Sequence, residues 1–119
     1  MLSITVQQSL PVGRVVVAGE LDTETAPQLI TCIESEVELG RSRLAVDLQA
    51  LTFCDSRGLV ALLQASDRCR RAGGSLAVVG ATGSVARVFA ITGVDEVLSR
   101  GRYLHNDPTQ RRRSWTRAG

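Results

Sequence analysis

Apolar and polar positions alternate along this chain at two periods, and the places where the period changes mark its elements. Ile4-Thr-Val-Gln7 and Arg14-Val-Val-Val-Ala-Gly19 are β-branched runs separated by Pro11-Val-Gly13, a pattern that predicts an antiparallel pair of strands joined by a turn. After Glu20-Leu-Asp22 the spacing becomes helical. Ala26, Leu29, Ile30, Ile33 and Val37 fall on one face, and Glu34, Glu36 and Glu38 lie mostly off it. Thr25 signals the start of this helix, with Pro27 in its first turn and Gln28 three positions on as in a capping box, and Gly40 ends it.

A second unit repeats the scheme. Leu44-Ala-Val-Asp-Leu48 reads as a strand, Phe53 closes the strand segment before Asp55-Ser56, and a helix runs from about residue 57 to Arg71. Its apolar stripe is Leu59, Leu62, Leu63, Ser66 and Cys69, stopped by Gly73-Gly74. Ser75-Leu-Ala-Val-Val-Gly80 reads as the following buried strand. Ser84 then caps a helix with Val85, Val88, Phe89 and Thr92 on one face before Gly93, and a short strand is expected near Val97-Leu98. Strands joined through helices run parallel with right-handed crossovers, so the ends of strands 15–18, 44–48 and 76–79 share one sheet edge. On that edge lie the loops holding Asp22-Thr23, Asp55-Ser56 and Ala81-Thr82, where open α/β sheets place their sites.

Composition supports one small α/β domain: 119 residues, 44% hydrophobic, with Phe53, Phe89, Tyr103 and Trp115 as the aromatics. The core must therefore be built of Val, Leu, Ile and Ala. The apolar runs fall well short of the roughly 18 residues of a membrane span, and the start lacks a signal-peptide pattern, so the expected location is the cytoplasm. Cys32, Cys54 and Cys69 are odd in number and form no CxxC pair, which points to reduced, packed thiols and away from a disulfide framework or a zinc site.

Charge is distributed unevenly. Residues 1–100 hold nine Arg against eleven acidic residues, while residues 101–119 hold five Arg against Asp107 alone. No Lys is present, which excludes a phosphate loop ending in Gly-Lys-Ser/Thr. The sole histidine, His105, lies in the polar segment Leu104-His-Asn-Asp-Pro108 and gives no support to a Ser-His-Asp hydrolase. No two glycines stand at i and i+2, so there is no GxGxxG loop, and Gly80-Ala-Thr-Gly83 reads as a turn more readily than a phosphate cradle. No metal or other cofactor is expected.

The chemistry concentrates in Asp55-Ser56-Arg57-Gly58, between a strand and an apolar helix. A helix start leaves N–H groups without intrahelical partners and carries partial positive charge, so an anion on a side chain in its first turn is accommodated there. Gly58 is expected to let the chain bend sharply between strand and helix. Asp and Ser are also common helix caps, and four residues alone leave both readings open.

Three separated motifs together resemble a known family. Gly19-Glu-Leu-Asp22 with Ala26-Pro-Gln-Leu29, then Val46-Asp-Leu48 with Phe53-Cys-Asp-Ser-Arg-Gly-Leu59, then Phe89-Ala-Ile-Thr-Gly-Val94, look like the STAS domain of bacterial anti-anti-sigma factors over about residues 2–100. The resemblance implies a mixed sheet of four to five strands with three to four helices in a domain spanning 1–103, and the arginine-rich composition of 104–119 makes that segment a basic tail expected to be disordered. The resemblance also implies a non-enzymatic anti-sigma factor antagonist that binds a serine-kinase anti-sigma factor and frees a sigma factor. Ser56 corresponds to the serine that the kinase phosphorylates with ATP, switching the antagonist off, and a PP2C-type phosphatase reverses it. Asp22, Thr23, Asp55, Ser56, Arg57 and Gly58 are then the expected partner surface.

Two positions depart from the common family pattern: Arg57 stands where relatives often have a small or hydroxylated residue, and Cys54 where they often have a larger aliphatic one. Arg57 pairs with the phosphate, helps select the kinase, or is simply solvated. Within the fold, the alternative is a STAS subunit of a sensory or transport assembly. Outside this class, a small nucleotide- or nucleic-acid-binding module would use residues 80–83 or the tail Arg111-Arg-Arg-Ser-Trp-Thr-Arg117, although neither nucleic acid nor membrane is an expected partner.

Overall fold

Strand β2, Gly13–Leu21, organises the computed structural model, which describes residues 1–7, 12–94 and 98. Strand β1, Leu2–Gln7, pairs antiparallel with it, as the β-branched runs predict. Along its other edge β2 holds two strands in succession. Strand β3, Arg43–Asp47, pairs parallel with Gly13–Val16, and strand β4, Leu51–Cys54, pairs parallel with Gly19–Leu21. Strand β5, Ser75–Val79, adds parallel to β3. The expected mixed sheet is therefore present, but the segment before the serine is a strand in its own right, separated from β3 by a tight turn in which Leu51 N–H donates to Leu48 O at 3.0 Å.

Helices α1, Ala26–Glu38, and α2, Ser56–Arg71, pack against each other, and α2 also covers β5. Helix α3, Gly83–Thr92, packs on β4. Val15, Val17, Leu29, Leu48 and Leu62 are completely buried between these layers, and Phe89 supplies the one large ring of the described core. The core is aliphatic, as the composition requires. Glu34 of α1 accepts from Arg68 Nε of α2 at 3.0 and 3.1 Å, a half-exposed pair that contributes at most about 1 kcal/mol.

Several local expectations change. Thr25 is the residue before α1, but its side chain does not cap the helix. Its hydroxyl donates to Glu20 O at 2.8 Å, and Gln28 Nε2 donates to Leu2 O at 3.1 Å, so the capping box is replaced by contacts to strand backbone. Glu36, expected off the apolar face, is buried and accepts from Arg41 Nε at 2.8 Å, Arg41 being brought back by the left-handed Gly40. At α3 the preceding residue is Thr82; Ser84 sits exposed inside the first turn. Thr92 is exposed, and its hydroxyl donates to Val88 O at 2.7 Å within the helix instead of joining the core. Leu98 is helical and buried where a strand was expected, and Val97 lies outside the described residues. So do the tail 104–119 with His105, and the residues Pro11, Tyr103 and Trp115.

Cys54 and Cys69 are buried and Cys32 is half-buried, all three as free thiols. Burial pushes the Cys54 thiol up to about 11, with nearby Asp55 adding to the effect, and pushes Cys69 up to about 12. A thiol held neutral in the fold but free to ionise in the unfolded chain stabilises fully below the unfolded value of 9.0, and that contribution is lost as pH rises through 11 to 12. Stability measured by urea titration is expected to fall above pH 9, with the fall reduced in a Cys54→Ala, Cys69→Ala variant. An unchanged pH profile in that variant would contradict this origin.

Candidate functional site

Strands β2 and β4 end side by side, with Leu21 opposite Cys54, and Asp55 N–H donates to Leu21 O at 3.2 Å. Each strand then turns into a helix through an aspartate one residue beyond that pair. Asp22 Oδ1 accepts from the N–H groups of Glu24 and Thr25, both at 3.0 Å. Asp55 Oδ1 accepts from Gly58 N–H at 2.9 Å, a true N-cap on α2 with extended backbone at φ −94° and ψ −173°. Of the three loops that the sequence pattern places on one edge, those holding Asp22-Thr23 and Asp55-Ser56 are thus brought into register through β4, whereas β5, which leads to Ala81-Thr82, pairs with β3 opposite the earlier part of β2 and does not share that register.

The N–H of Thr25, aided by its hydroxyl and the N–H of Glu24, holds the Asp22 carboxyl below its ordinary value of 3.8 against an opposing effect of burial. Both aspartates are half-buried and already engaged in shaping their turns. Their contribution to a surface is therefore positional as well as electrostatic.

Ser56 opens α2 and is exposed, and its hydroxyl makes no hydrogen bond among the described residues. The first N–H groups of α2 lie beside it, outside the intrahelical ladder, with the positive end of the helix dipole. This hydroxyl is therefore accessible. Thr23 and Arg57 are exposed on the same edge, and Arg57 has no ion-pair partner among the described residues.

Gly58 is placed differently from expectation. Its backbone is helical, not bent, and a Cβ there would lie 2.7 Å from Leu21 O and 2.9 Å from Cys54 Sγ. The glycine is buried, so it shapes the surface by letting α2 press against the ends of β2 and β4.

Sequence patterning did not bring out the apolar surroundings of this edge. Phe53 is 48% exposed three residues before Ser56, and Val60 is 40% exposed one turn after it. Val60 and Arg57 line an open groove of about 430 Å³ between α1 and α2, with Ala26, Ile30 and Ala61 in its wall. The signal was present in outline: Val60 is an apolar residue off the predicted stripe of α2.

Comparison with known proteins agrees with this architecture. The sequence model of the STAS domain matches residues 3–109. The anti-sigma-B factor antagonist of Listeria monocytogenes is 30% identical over 82 residues, covering 69% of this chain and 72% of that protein. An anti-sigma factor antagonist from Mycobacterium paratuberculosis, known as a crystal structure, superposes with a TM-score of 0.72 at 29% identity, covering 90% of this chain and 96% of that one. The Bacillus cell fate determinant SpoIIAA in its phosphorylated form shares the fold at a TM-score of 0.60 and 16% identity, covering 82% of this chain and 98% of that one. Among the described residues no helix is long and apolar enough to cross a membrane.

Proposed function

This chain belongs to the STAS-domain family, and from that premise we propose that it is an anti-sigma factor antagonist whose binding to a serine-kinase anti-sigma factor is controlled by phosphorylation of Ser56. The observation that carries the reading is the exposed Ser56 hydroxyl, without a hydrogen bond among the described residues, at the first position of α2, on an edge where Asp55 caps the helix and Asp22 stands alongside. Similarity to the Listeria and Mycobacterium antagonists supports the anti-sigma partner.

In the unmodified state the edge offers a neutral hydroxyl between two aspartate-shaped turns, and the kinase docks on it. Transfer then forms a bond from Ser56 Oγ to the γ-phosphorus of ATP and breaks the bond to ADP, while the hydroxyl proton leaves to a base of the kinase. The product adds about −1.5 to −2 charges next to Asp55. Hydrolysis by a PP2C-type phosphatase restores the hydroxyl. Within the domain, the N-terminus of α2 steadies the anion by about 0.3–1 kcal/mol, so the fold persists while the interface weakens.

Incubation of the full chain with the anti-sigma kinase and ATP is expected to add one phosphate, located at Ser56 by peptide mass spectrometry. A Ser56→Ala chain is expected to take up none. Stoichiometric phosphorylation of that variant would refute the assignment.

A further inference from the structure

The groove between α1 and α2 begins beside the switch serine and is not used by it. Its near stretch has a single charged residue, Arg57, at the mouth, and walls formed by Ala26, Ile30, Val60 and Ala61. Ile30 is half-buried and Val60 is 40% exposed, so apolar surface faces outward along a line from the switch. Past Ile30 and Gln64 the groove runs on into a second hollow of about 250 Å³. The charged groups there are held in ion pairs: Arg68 with Glu34 at 3.0 Å, and Arg71 with Asp67 at 2.9 Å, a carboxylate that Arg70 also pairs with at 2.9 Å. Arg57 differs in having no such partner among the described residues.

We propose that this groove is a second docking surface for the anti-sigma factor, receiving an apolar segment that carries a carboxylate positioned to pair with Arg57. The inference rests on the antagonist reading above. Three features select that occupant. The hollow follows two helices for several turns, which suits a chain segment better than a compact ligand. Its walls are apolar where α1 and α2 meet, which suits aliphatic anchors. The one lining charge without an ion-pair partner among the described residues is the Arg57 guanidinium at the end nearest Ser56, which calls for an anion on the partner at that end. Because Arg57 directly follows Ser56, a phosphate on Ser56 competes with the partner carboxylate for the same guanidinium. The groove thereby couples the phosphorylation state to a contact beyond the serine itself.

Binding of the purified kinase that phosphorylates Ser56 is to be measured by calorimetry for the full chain, Arg57→Glu, Arg57→Gln and Val60→Asp across a range of salt concentrations. Arg57→Glu and Val60→Asp are each expected to weaken binding by at least tenfold. Arg57→Gln is expected to flatten the salt dependence, since it removes the charge pair. Both positions are exposed, and melting curves within a few degrees of the parent exclude misfolding as the cause. Binding by both Arg57→Glu and Val60→Asp within twofold of the parent would overturn the proposal. So would a parent dimer in sedimentation that Val60→Asp converts to monomer, because the groove would then hold a second copy. Failure of the antagonist reading is separable: the parent chain itself would neither bind the kinase nor receive phosphate.

Discussion

Ser56→Asp is expected to weaken binding to the anti-sigma kinase by roughly 5-fold, at the low end of the 5 to 150-fold range typical of coupling energies, with the phosphorylated chain nearer its upper end. The order follows from charge. An aspartate brings one negative charge on a short arm, whereas phosphoserine brings about −1.5 to −2 on a longer one. Either is placed beside Asp55, whose Oδ1 is held by Gly58 N–H at 2.9 Å and so cannot turn away without uncapping α2. Asp22 is fixed in the same way by the N–H groups of Glu24 and Thr25. Neither aspartate can therefore turn away from the added charge, and the partner meets it beside both carboxylates. Ser56→Ala lacks the charge and is expected to bind far better than Ser56→Asp. Titration calorimetry with all three forms decides the matter, and equal affinities for Ser56→Ala and Ser56→Asp would leave no electrostatic switch at this position.

The same substitutions are expected to leave thermal stability nearly unchanged, since Ser56 is exposed and an acid at the first position of a helix interacts favourably with its dipole. Binding and folding are thus separable here, unlike at Gly58.

Legibility in the sequence divides along a physical line. Periodicity depends on which residues face a core, so β2, β5 and the buried stripe of α2 were readable, as was a cap within Asp55-Ser56, though only the structure assigns it to Asp55 through the bond from Gly58 N–H. Strand β4 was blurred because Thr52 and Phe53 are exposed in succession, which breaks the alternation that announces a half-buried strand. Thr25 and Gln28 fit a local cap, but carbonyls of Glu20 and Leu2, supplied by strands β2 and β1, claim their side chains instead. Glu36 carries the sign of a solvated residue and is buried because Gly40 returns Arg41 to it. The groove depends on how two helices cross, which no single stretch of chain encodes.

Gly58→Ala is the substitution in the site expected to cost most stability. The new methyl would lie 2.7 Å from Leu21 O and 2.9 Å from both Leu21 Cγ and Cys54 Sγ. The first of these is backbone of β2, itself tied to Asp55 N–H at 3.2 Å, so relief requires α2 to lift away from the sheet. Overpacking of this kind costs about 1–3 kcal/mol, from which the better helix propensity of Ala recovers up to about 1 kcal/mol. A melting temperature lower by roughly 5–10 °C is expected for a domain of this size. Adding Cys54→Ala removes the sulfur but not the carbonyl, so the double variant is expected to regain only part of the loss. Because lifting α2 carries Ser56 and the Asp55 cap with it, kinase binding falls along with stability, whereas Ser56→Asp lowers binding alone. Full stability in Gly58→Ala would mean that α2 moves freely over the strand ends, and the tight seat of its first turn on β2 and β4 would have to be abandoned.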